Sequence, residues 1–481
     1  MAASPRHHSC SWTAAPSSMP VWDARRAAPA AKSFKGYLRS CSRAIRAFQT
    51  AEETQIAGES DLHAGEAISA QPSTSSRDAG DRKQTADLTA TQLARNHALI
   101  GDLRGKVILA PLTRGGNVPF RRLCVDFGAE ATMSEMCFAR MLLKGEPVER
   151  SRLRKAENEQ CFGFQFATNN IEEGIGAAKM AQEAGASWVD LNCGCPIYEA
   201  TKRGMGSALL RRPGKLAKLV AGIAEAIDLP LTVKVRTGTS SSKINVQETV
   251  ELLGEAGAAA VTVHGRTAEQ RYRKPADWEL LTDLAARHAV PLIGNGDVLT
   301  HYEAKRRMES SSFLTIMAGR GALIKPWIFQ EIKEGRELRL SAQDRIGVYR
   351  QLVSHMKEHF GDDAMGWRKA SYFLPWHFDF FCRYRHLPED IFGDISKEQP
   401  LMGRRTELAV PELGESLESL PLLERLLRCE NREAHKEIAR ALWDSHSDPQ
   451  AATYLKLLAA EKLLVWEDTA TEREEKSRVQ G

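Results

Sequence analysis

Two cysteines one residue apart raise the first question of chemistry in this chain. Cys193 and Cys195 lie in "DLNCGCPIYEATKRGMGSALL", residues 190–210, and are followed by a proline, a basic pair and a glycine-rich turn. Such a pair is compatible with a metal clip, a redox pair, or one reactive thiol whose neighbour is also a cysteine. Because a zinc site usually has two close ligand pairs and no second close pair follows, we expect no metal here.

Cysteine usage and composition indicate a protein of a reducing compartment. The chain has 481 residues and nine irregularly spaced cysteines, which is typical of free thiols rather than of a disulfide-stapled module. Its formal net charge of +4 permits a polyanionic partner without arguing for one. No apolar run approaches the roughly 20 residues that a membrane span needs, so we expect no membrane partner.

Strand-like runs alternate with amphipathic segments over residues 105–335. The eight candidate strands are 106–112, 129–136, 161–166, 187–192, 230–237, 259–265, 290–296 and 313–321. The amphipathic segments between them include 171–184, 213–227, 246–256 and 278–288. Regular βα units of this number predict an α/β fold, a (β/α)8 TIM barrel, whereas a doubly wound sheet seldom needs eight of them.

The segment before the barrel differs in composition. Residues 1–95 are rich in Ala, Ser, Arg and Gln and lack strand or core patterning, which predicts a disordered or targeting extension. Within it, 34–48 is amphipathic, Arg-rich and acid-poor, as organelle import segments are. A disordered tail with one basic amphipathic stretch is the alternative interpretation.

The segments after the barrel have helical spacing of apolar residues. We predict an all-helical second domain over 340–440 and a helical tail over 441–481. Pro375 falls within the helical pattern of 369–384, where we expect it to kink or divide the helix.

Polar residues stand at the ends of the candidate strands. In a TIM barrel the carboxyl ends of the strands build the working face. The polar endings are Glu135, Gln165, Asn192, Lys234 with Arg236, His264, Asn295 with Asp297, and Arg320. Packing alone favours Val, Ile and Leu at such positions, so together these endings predict a site at the barrel mouth.

The last two strand endings indicate a phosphate site. The sequence there reads "GNGD" over 294–297 and "GRGA" over 319–322. Their glycines let a backbone approach a ligand closely, and a helix beginning after each would direct amide N–H groups at an anion. TIM barrels commonly hold phosphate at this place. Together with Gln165, Lys234 and His264, the site suits FMN, because an amide can bond the polar edge of the ring and a cation can stabilise its reduced form.

In combination and in order, seven motifs resemble those of the tRNA-dihydrouridine synthases. They read "LAPLTRGGNVPFRRLCVDFGA", "FGFQF", "LNCGCPI" followed by "KRGMGSALL", "LTVKVRTG", "VTVHGRTAEQRY", "IGNGDV" and "MAGRGALIKPWIF". The resemblance runs from about residue 105 to 335 and on into the helical region. It is strongest to the eukaryotic branch that acts on tRNA position 47.

The resemblance implies an FMN enzyme that reduces a uridine in tRNA with NADPH or NADH, and it leaves open other RNA substrates. The flavin contacts that it implies are Pro111, Leu112, Thr113, Gln165, Lys234, His264, Asn295, Gly296, Asp297, Gly319 and Arg320. Cys195, the cysteine of the Cys-Pro pair, matches the catalytic cysteine and is the candidate proton donor, because a thiol of ordinary pKa is protonated at neutral pH. We expect a monomer of the cytoplasm or nucleus, or of an organelle if 34–48 directs import.

Candidate substrate contacts lie in two parts of the chain. Asn192 would contact the flavin or the uracil edge, and Lys202 and Arg203 would hold a phosphate or lower the pKa of the cysteine. In the helical segment, Arg383 and Arg385 stand among aromatic residues, an arrangement that suits phosphates and splayed bases. A solvated helix face with a buried aromatic stripe is the alternative.

Two other functions fit parts of the same pattern. A flavin barrel enzyme acting on a free pyrimidine would use similar flavin contacts without needing the basic helical domain. A non-catalytic RNA-binding protein would need no flavin, and the purified protein would be colourless.

Overall fold

The computed structural model describes residues 86–309, 312–403 and 413–479, with side chains described up to Glu467. The import-like stretch 34–48, together with the rest of 1–85, lies outside the described residues. None of the helices in the described part is long and apolar enough to cross a membrane.

A closed ring of parallel strands forms the centre of the fold. The strands are β1 (Ile108–Leu109), β2 (Ala131–Met133), β3 (Cys137–Phe138), β4 (Cys161–Ala167), β5 (Trp188–Cys193), β6 (Leu231–Arg236), β7 (Ala260–His264), β8 (Leu292–Asn295) and β9 (Thr315–Ala318). β2 pairs with β1 and β4, each later strand pairs with the next, and β9 pairs with β1, which closes the barrel. The eight predicted strands are therefore confirmed, and the short β3 is an addition that pairs with β4.

Helices surround the barrel. Those up to the end of the barrel are α1 (Ala90–Leu103), α2 (Val118–Asp126), α3 (Ala139–Leu143), α4 (Pro147–Ser151), α5 (Ile171–Glu183), α6 (Tyr198–Thr201), α7 (Pro213–Ala224), α8 (Val246–Glu255), α9 (Trp278–Arg287), α10 (His301–Glu309), α11 (Arg320–Ile324) and α12 (Ile328–Glu334). The four amphipathic segments of the sequence correspond to α5, α7, α8 and α9. Their apolar faces pack on the outward side chains of the strands in one buried cluster.

Helix α1 begins inside the segment for which the sequence predicted an extension. Thr89 caps it, and Leu99 and Leu103 are buried with apolar residues that face the inside of the barrel at its amino end. The amide of Gln92 donates to the carbonyls of Ala224, 3.0 Å away, and Ile227, 2.9 Å away. The folded part of the chain therefore starts before residue 90, and the boundary at 95 was wrong.

Alternate residues of each strand face the barrel interior, as the period of a β-strand requires. At the amino end this interior is apolar and includes Ile108, Trp188 and Met317. The ring of Trp188 lies against Gly163 on the neighbouring strand, where an added Cβ would come within 2.3 Å of a ring atom. The interior changes from apolar to polar toward the carboxyl ends of the strands.

In the described residues after the barrel, the regular elements are helices. They are α13 (Ala342–Phe360), α14 (Ala364–Phe381), α15 (Glu389–Phe392), α16 (Ile395–Glu398), α17 (Leu422–Arg428), α18 (Arg432–Asp444) and α19 (Asp448–Val479). One apolar cluster joins them to the barrel, with Phe120 and Trp327 on the barrel side and Phe378 on the helical side. Pro375 does not divide α14, which runs unbroken through it because the helix packs against α13 and α18 on both sides of the proline.

Candidate active site

The polar strand ends predicted from the sequence meet at one end of the barrel interior. The side chains of Gln165, Asn192, His264 and Asn295 are each less than one-tenth exposed, and Lys234 lies among them. Since parallel strands in register bring their carboxyl ends together, residues far apart in sequence become neighbours here. Asn192 and Lys234, for example, are register partners on β5 and β6.

Cys195 lies just beyond the end of β5, and its backbone is held on both sides. Its N–H donates to Oδ1 of Asn192 at 2.9 Å, and its carbonyl accepts from the N–H of Ser207 at 3.0 Å. The carbonyl oxygen would lie 2.4 Å from a Cβ at Gly206, so the chain passes too close there for any other residue. These contacts fix the cysteine loop at the rim of the barrel.

The two cysteines face different surroundings. Cys193 is fully buried among the apolar side chains between the sheet and the outer helices, whereas Cys195 is half-buried. Burial raises the pKa of Cys195, while the backbone N–H of Ile197 and the charges of Arg236 and Lys234 oppose that rise. The thiol of Cys195 is therefore protonated at neutral pH, with positive charge nearby to stabilise the thiolate. No cluster of three or more metal-binding side chains occurs in the described residues.

Lys234 supplies a partly buried positive charge inside the barrel. Its Nζ donates to Oδ1 of Asn295 at 2.7 Å, and the amide of Asn295 donates to the carbonyl of Met317 at 2.9 Å. Burial lowers the pKa of Lys234, and the carboxylate of Asp190 below it acts in the opposite direction. Asn295 therefore orients the amine toward the mouth.

His264 is neutral at physiological pH because burial and four surrounding cations lower its pKa well below the usual value. Its Nε2 lies 3.1 Å from Nη1 of Arg266, which can only donate. Nε2 is therefore the acceptor and the ring hydrogen is on Nδ1. The imidazole presents one N–H group on its free side.

A second group of charges surrounds the end of β8. The carboxylate of Asp297 accepts from Arg266 at 2.6 Å, from Arg320 at 2.9 Å and from the N–H of Ala276 at 2.8 Å. The guanidinium of Arg320 also lies 4.3 Å from the ring centre of Tyr272. The carboxylate of Asp297 thus holds two arginines in place.

The glycine-rich turns lie where the sequence predicted them. Gly296 has a φ of +136° and Asp297 a φ of +47°, so this turn adopts left-handed backbone that glycine accepts readily. Gly319 begins α11 with Arg320 directly after it. A Cβ on Gly319 would lie 3.6 Å from Leu112, which places the loop of Pro111, Leu112 and Thr113 beside this turn.

Lys202 and Arg203 are exposed on the loop after Cys195. The ammonium of Lys202 lies 4.7 Å from the ring centre of Tyr198, which is itself 70% exposed, and the guanidinium of Arg203 lies 5.4 Å from that of Phe138. They form a basic and aromatic patch at the rim. The patch is distinct from the buried charges around Lys234.

Arg383 and Arg385 differ in a way that the sequence did not reveal. Arg383 is exposed, and its guanidinium lies 5.0 Å from the ring centre of Phe380. Arg385 is only 2% exposed and donates to the carbonyls of Cys382 at 2.8 Å and Tyr384 at 2.7 Å. The prediction of an RNA contact at Arg385 was wrong, because the helices that follow in the chain bury it.

Asp190, Arg266 and Tyr272 received no role from the sequence, and Arg236 was identified only as a polar strand ending. Period-two alternation from Lys234 already places Arg236 on the inner face, where its Nε donates to the carbonyl of Gly194 at 3.0 Å. The same alternation from Asn192 places Asp190 inside the barrel. Arg266 and Tyr272 lie on the loop after β7, for which strand periodicity gives no signal.

A family model matches a large part of the chain, residues 108–397, and its description is dihydrouridine synthase. The chain belongs to the dihydrouridine synthase family. The resemblance drawn from the motifs is thereby confirmed, and the match includes the whole barrel from β1 onward and the first helices after it.

Relatives of this chain within the dihydrouridine synthase family have more specific names. The tRNA-dihydrouridine(47) synthase [NAD(P)(+)] of Coprinopsis cinerea is 40% identical over 326 residues, which cover 64% of this chain and 48% of the fungal protein. The tRNA-dihydrouridine(47) synthase [NAD(P)(+)]-like protein of Homo sapiens is 40% identical over 285 residues, covering 59% and 44% respectively. The chain thus spans about half the length of the curated relatives it matches.

Proposed function

We propose that this chain is an FMN-dependent tRNA-dihydrouridine synthase that reduces the C5=C6 bond of a uridine at position 47 of tRNA with NADPH or NADH. The observation that carries the proposal is the position of Cys195, a thiol whose pKa is raised by burial, at a barrel mouth lined by Lys234, Asn192 and His264. The names of the relatives support the substrate and the reductant.

The donor chemistry of the mouth fits FMN. Arg320, with Gly319 and Gly296 in the adjoining turns, would hold the phosphate, because a cation and accessible backbone suit an anion. Gln165 and Lys234 would hold the ring, since an amide complements its polar edge and an amine complements negative charge. When bound and reduced, FMN supplies the hydride that goes to C6 of the uracil ring.

Cys195 supplies the other hydrogen. Its raised pKa keeps the thiol protonated until the base is bound, and the proton then moves from Sγ to C5 as charge develops there. The sulfur is left as a thiolate, which the charges of Lys234 and Arg236 stabilise. Positioned acid catalysis of this kind contributes typically about 10²–10⁴-fold in rate.

Cations paired with aromatic rings at the mouth and on the helical region would bind the RNA. Arg320 lies over Tyr272. Its pKa is lowered chiefly by burial, and the charge of Arg383 on the helical side acts in the same direction. On the helical region, the guanidinium of Arg114 lies 4.4 Å from the ring centre of Tyr372 on α14. Cations can follow the phosphates and rings can stack on bases next to the uridine, which must leave its stack to enter the barrel.

The test combines a spectrum with a single-turnover assay. We expect the purified protein to absorb near 375 and 450 nm as a flavoprotein. After reduction by NADPH or NADH, it should form dihydrouridine in tRNA but not in free uridine. A colourless, inactive protein would point to RNA binding without catalysis, and equal turnover of free uridine would point to a free-pyrimidine enzyme.

The nucleotide position can be tested separately. Transfer RNA with cytidine at position 47 should yield no product, whereas substitution of a uridine elsewhere should have no effect. Product formed at full yield from the position-47 variant would contradict the assignment of the target and leave the proposed reaction intact.

A further inference from the structure

A chain of hydrogen bonds crosses the barrel interior and ends on the backbone of Cys195. Oδ2 of Asp190 accepts from Nε2 of Gln165 at 2.9 Å. Oε1 of Gln165 accepts from Nδ2 of Asn192 at 2.9 Å. Oδ1 of Asn192 then accepts from the N–H groups of Cys195 at 2.9 Å and Gly194 at 3.2 Å. The four groups lie on two neighbouring strands and the loop that follows them.

The two ends of this chain fix its direction. A carboxylate can only accept hydrogen bonds and a backbone N–H can only donate them. Between Asp190 and Cys195, each of the two amides must therefore place its nitrogen toward the acid and its oxygen toward the cysteine. With the oxygens so used, the hydrogens that remain at the mouth are N–H groups of Gln165 and Asn192.

Asp190 is an unusual residue for this depth of the barrel. It is fully buried, and Thr232 on the next strand donates to its Oδ1 at 2.6 Å. Two residues before it on the same strand, the inward position holds the apolar Trp188, which belongs to the apolar cluster of the barrel interior. Burying a carboxylate costs free energy that an apolar side chain at the same place would not, which points to a contribution beyond packing. Burial raises the pKa of Asp190, and the nearby Lys234 favours its charged form.

We propose that Asp190 is a positioning residue for Cys195, acting through the amide orientations of Gln165 and Asn192. The inference rests on the proposed role of Cys195 as the proton donor. It predicts that the acceptor at position 190 holds the cysteine loop in the geometry that proton transfer needs. It also predicts that the acceptor sets which hydrogen-bonding groups a ligand meets at the mouth.

Two substitutions at position 190 separate hydrogen-bond direction from other effects. In Asp190→Asn, the new Oδ1 can still accept a hydrogen bond from Gln165, and the new NH2 group can donate one to the hydroxyl oxygen of Thr232. That hydroxyl can then donate its own hydrogen to the carbonyl of Val189, 3.4 Å away. In Asp190→Leu, no acceptor remains. Thr262→Val is the matched control, because Thr262 is also fully buried on an inner strand position and its hydroxyl has no hydrogen-bond partner among the residues that the structure describes.

The readout is the rate at which iodoacetamide alkylates Cys195 in the full-length protein, followed by peptide mass mapping so that each cysteine is resolved. This measurement needs neither RNA nor turnover. Asp190→Leu should raise the rate by about tenfold, the size expected when a buried hydrogen bond to a positioned group is lost. Asp190→Asn and Thr262→Val should stay within about twofold of the parent protein by the same argument.

Bound flavin provides a second readout. The visible absorption bands should shift in Asp190→Leu and be restored in Asp190→Asn, because only the acceptor fixes the N–H groups that face the ring. Should Asp190→Leu fail to fold, Gln165→Leu interrupts the same chain one step later, and it should raise alkylation of Cys195 to a similar extent.

The proposal is overturned if Asp190→Asn and Asp190→Leu alkylate at the same rate, whether that rate is normal or raised. Its failure is distinguishable from failure of the proposed function. A Cys195→Ala enzyme that reduced uridine normally would remove the proton-donor role, whereas the alkylation difference at Cys195 would persist.

Discussion

Arg320 donates a hydrogen bond to Asp297, 2.9 Å away, and at the same time lies over the ring of Tyr272. Its guanidinium is therefore positioned by an acid on one side and a ring on the other, at the turn where the sequence predicted a phosphate. An arginine held in this way is pre-organised for an anion, since little side-chain freedom remains to be lost on binding.

Arg320→Ala should weaken flavin binding. A hydrogen bond from a charged donor is worth about 1.5–3 kcal/mol, so the dissociation constant should rise by about ten- to a hundredfold. Equilibrium dialysis of FMN against the apoprotein measures this directly. Arg273→Ala, an exposed arginine on the Tyr272 loop, is the control and should bind as the parent does. Unchanged affinity in Arg320→Ala would place the phosphate elsewhere.

Gly319→Ala tests the same turn through its backbone. A Cβ there would make only ordinary contacts of 3.6 Å with Ala110 and Leu112, so the variant should fold and melt normally. Replacement by the bulkier Leu should release flavin if the phosphate approaches this backbone, because the side chain would project into the turn. Thermal melting and bound-flavin absorbance together separate loss of ligand from loss of fold. Full occupancy in Gly319→Leu would contradict the expected approach.

The two neighbouring cysteines should respond differently to substitution. Cys195→Ala should bind flavin and accept hydride from NADPH normally, while single-turnover formation of dihydrouridine falls by about 10²–10⁴-fold. Cys193→Ala should stay within a few-fold of the parent rate, because its side chain faces the outer helices. If the cysteines formed a redox pair, both variants would be equally inactive. Loss of dihydrouridine formation in Cys193→Ala alone would mean that Cys193 is the acid.

Arg383 and Arg385 form a matched pair for the RNA surface. Arg383→Ala should weaken tRNA binding and reduce the slope of log K against log salt by about 0.7–0.9, the value for one lost phosphate contact. Arg385→Ala should instead lower the free energy of unfolding by about 1–3 kcal/mol, because two buried carbonyls lose their donor. Filter binding over a salt series and urea unfolding distinguish the two effects. An identical slope in Arg383→Ala would mean that it does not touch phosphate.

His377 should make the fold sensitive to acid. It is fully buried between Phe120 and Phe381, and neither ring nitrogen has a hydrogen-bond partner in the described part of the chain. Burial lowers its pKa to about 3. The unfolded chain, with a pKa of about 6.5, binds the proton first, so stability is complete above pH 6.5 and is lost as pH falls toward 3. The contribution between pH 7 and 5 is about 2 kcal/mol.

Urea unfolding at the two pH values measures this contribution. Between pH 7 and 5, the free energy of unfolding of His377→Phe should fall by about 2 kcal/mol less than that of the parent, since phenylalanine cannot take up a proton. His446→Phe, at an exposed position, should behave as the parent. The same acid sensitivity in His377→Phe would assign it to other groups.

The sequence was most informative where strand periodicity applies. Each strand end follows a short apolar run and carries a polar residue, so the pattern of residue types is enough to locate Gln165, Lys234 and His264. The same alternation places Asp190 on the inner face, but a single acid within an apolar run is easily assigned to the outer face instead. Tyr272 lies on a loop, and its position depends on how that loop folds back over Arg320.

Long-range packing explains what the sequence could not give. Arg385 resembles Arg383 in its local sequence. The helices that begin near residue 422 nevertheless cover Arg385 and leave Arg383 exposed. Helix α1 has ordinary polar composition on its outer side, and only contact with the barrel floor shows that Leu99 and Leu103 belong to a core. The sequence pattern does not show which distant segment covers a residue.

The contact between Gly163 and Trp188 limits how this barrel can change over evolutionary time. A methyl group at position 163 would overlap the indole of Trp188, so even Gly163→Ala alone should destabilise the barrel and be selected against. A larger residue becomes acceptable only after Trp188 has been replaced by something smaller, and that replacement alone would leave a cavity. The two positions are therefore expected to change together or not at all, because of how they pack and not because of any part in catalysis.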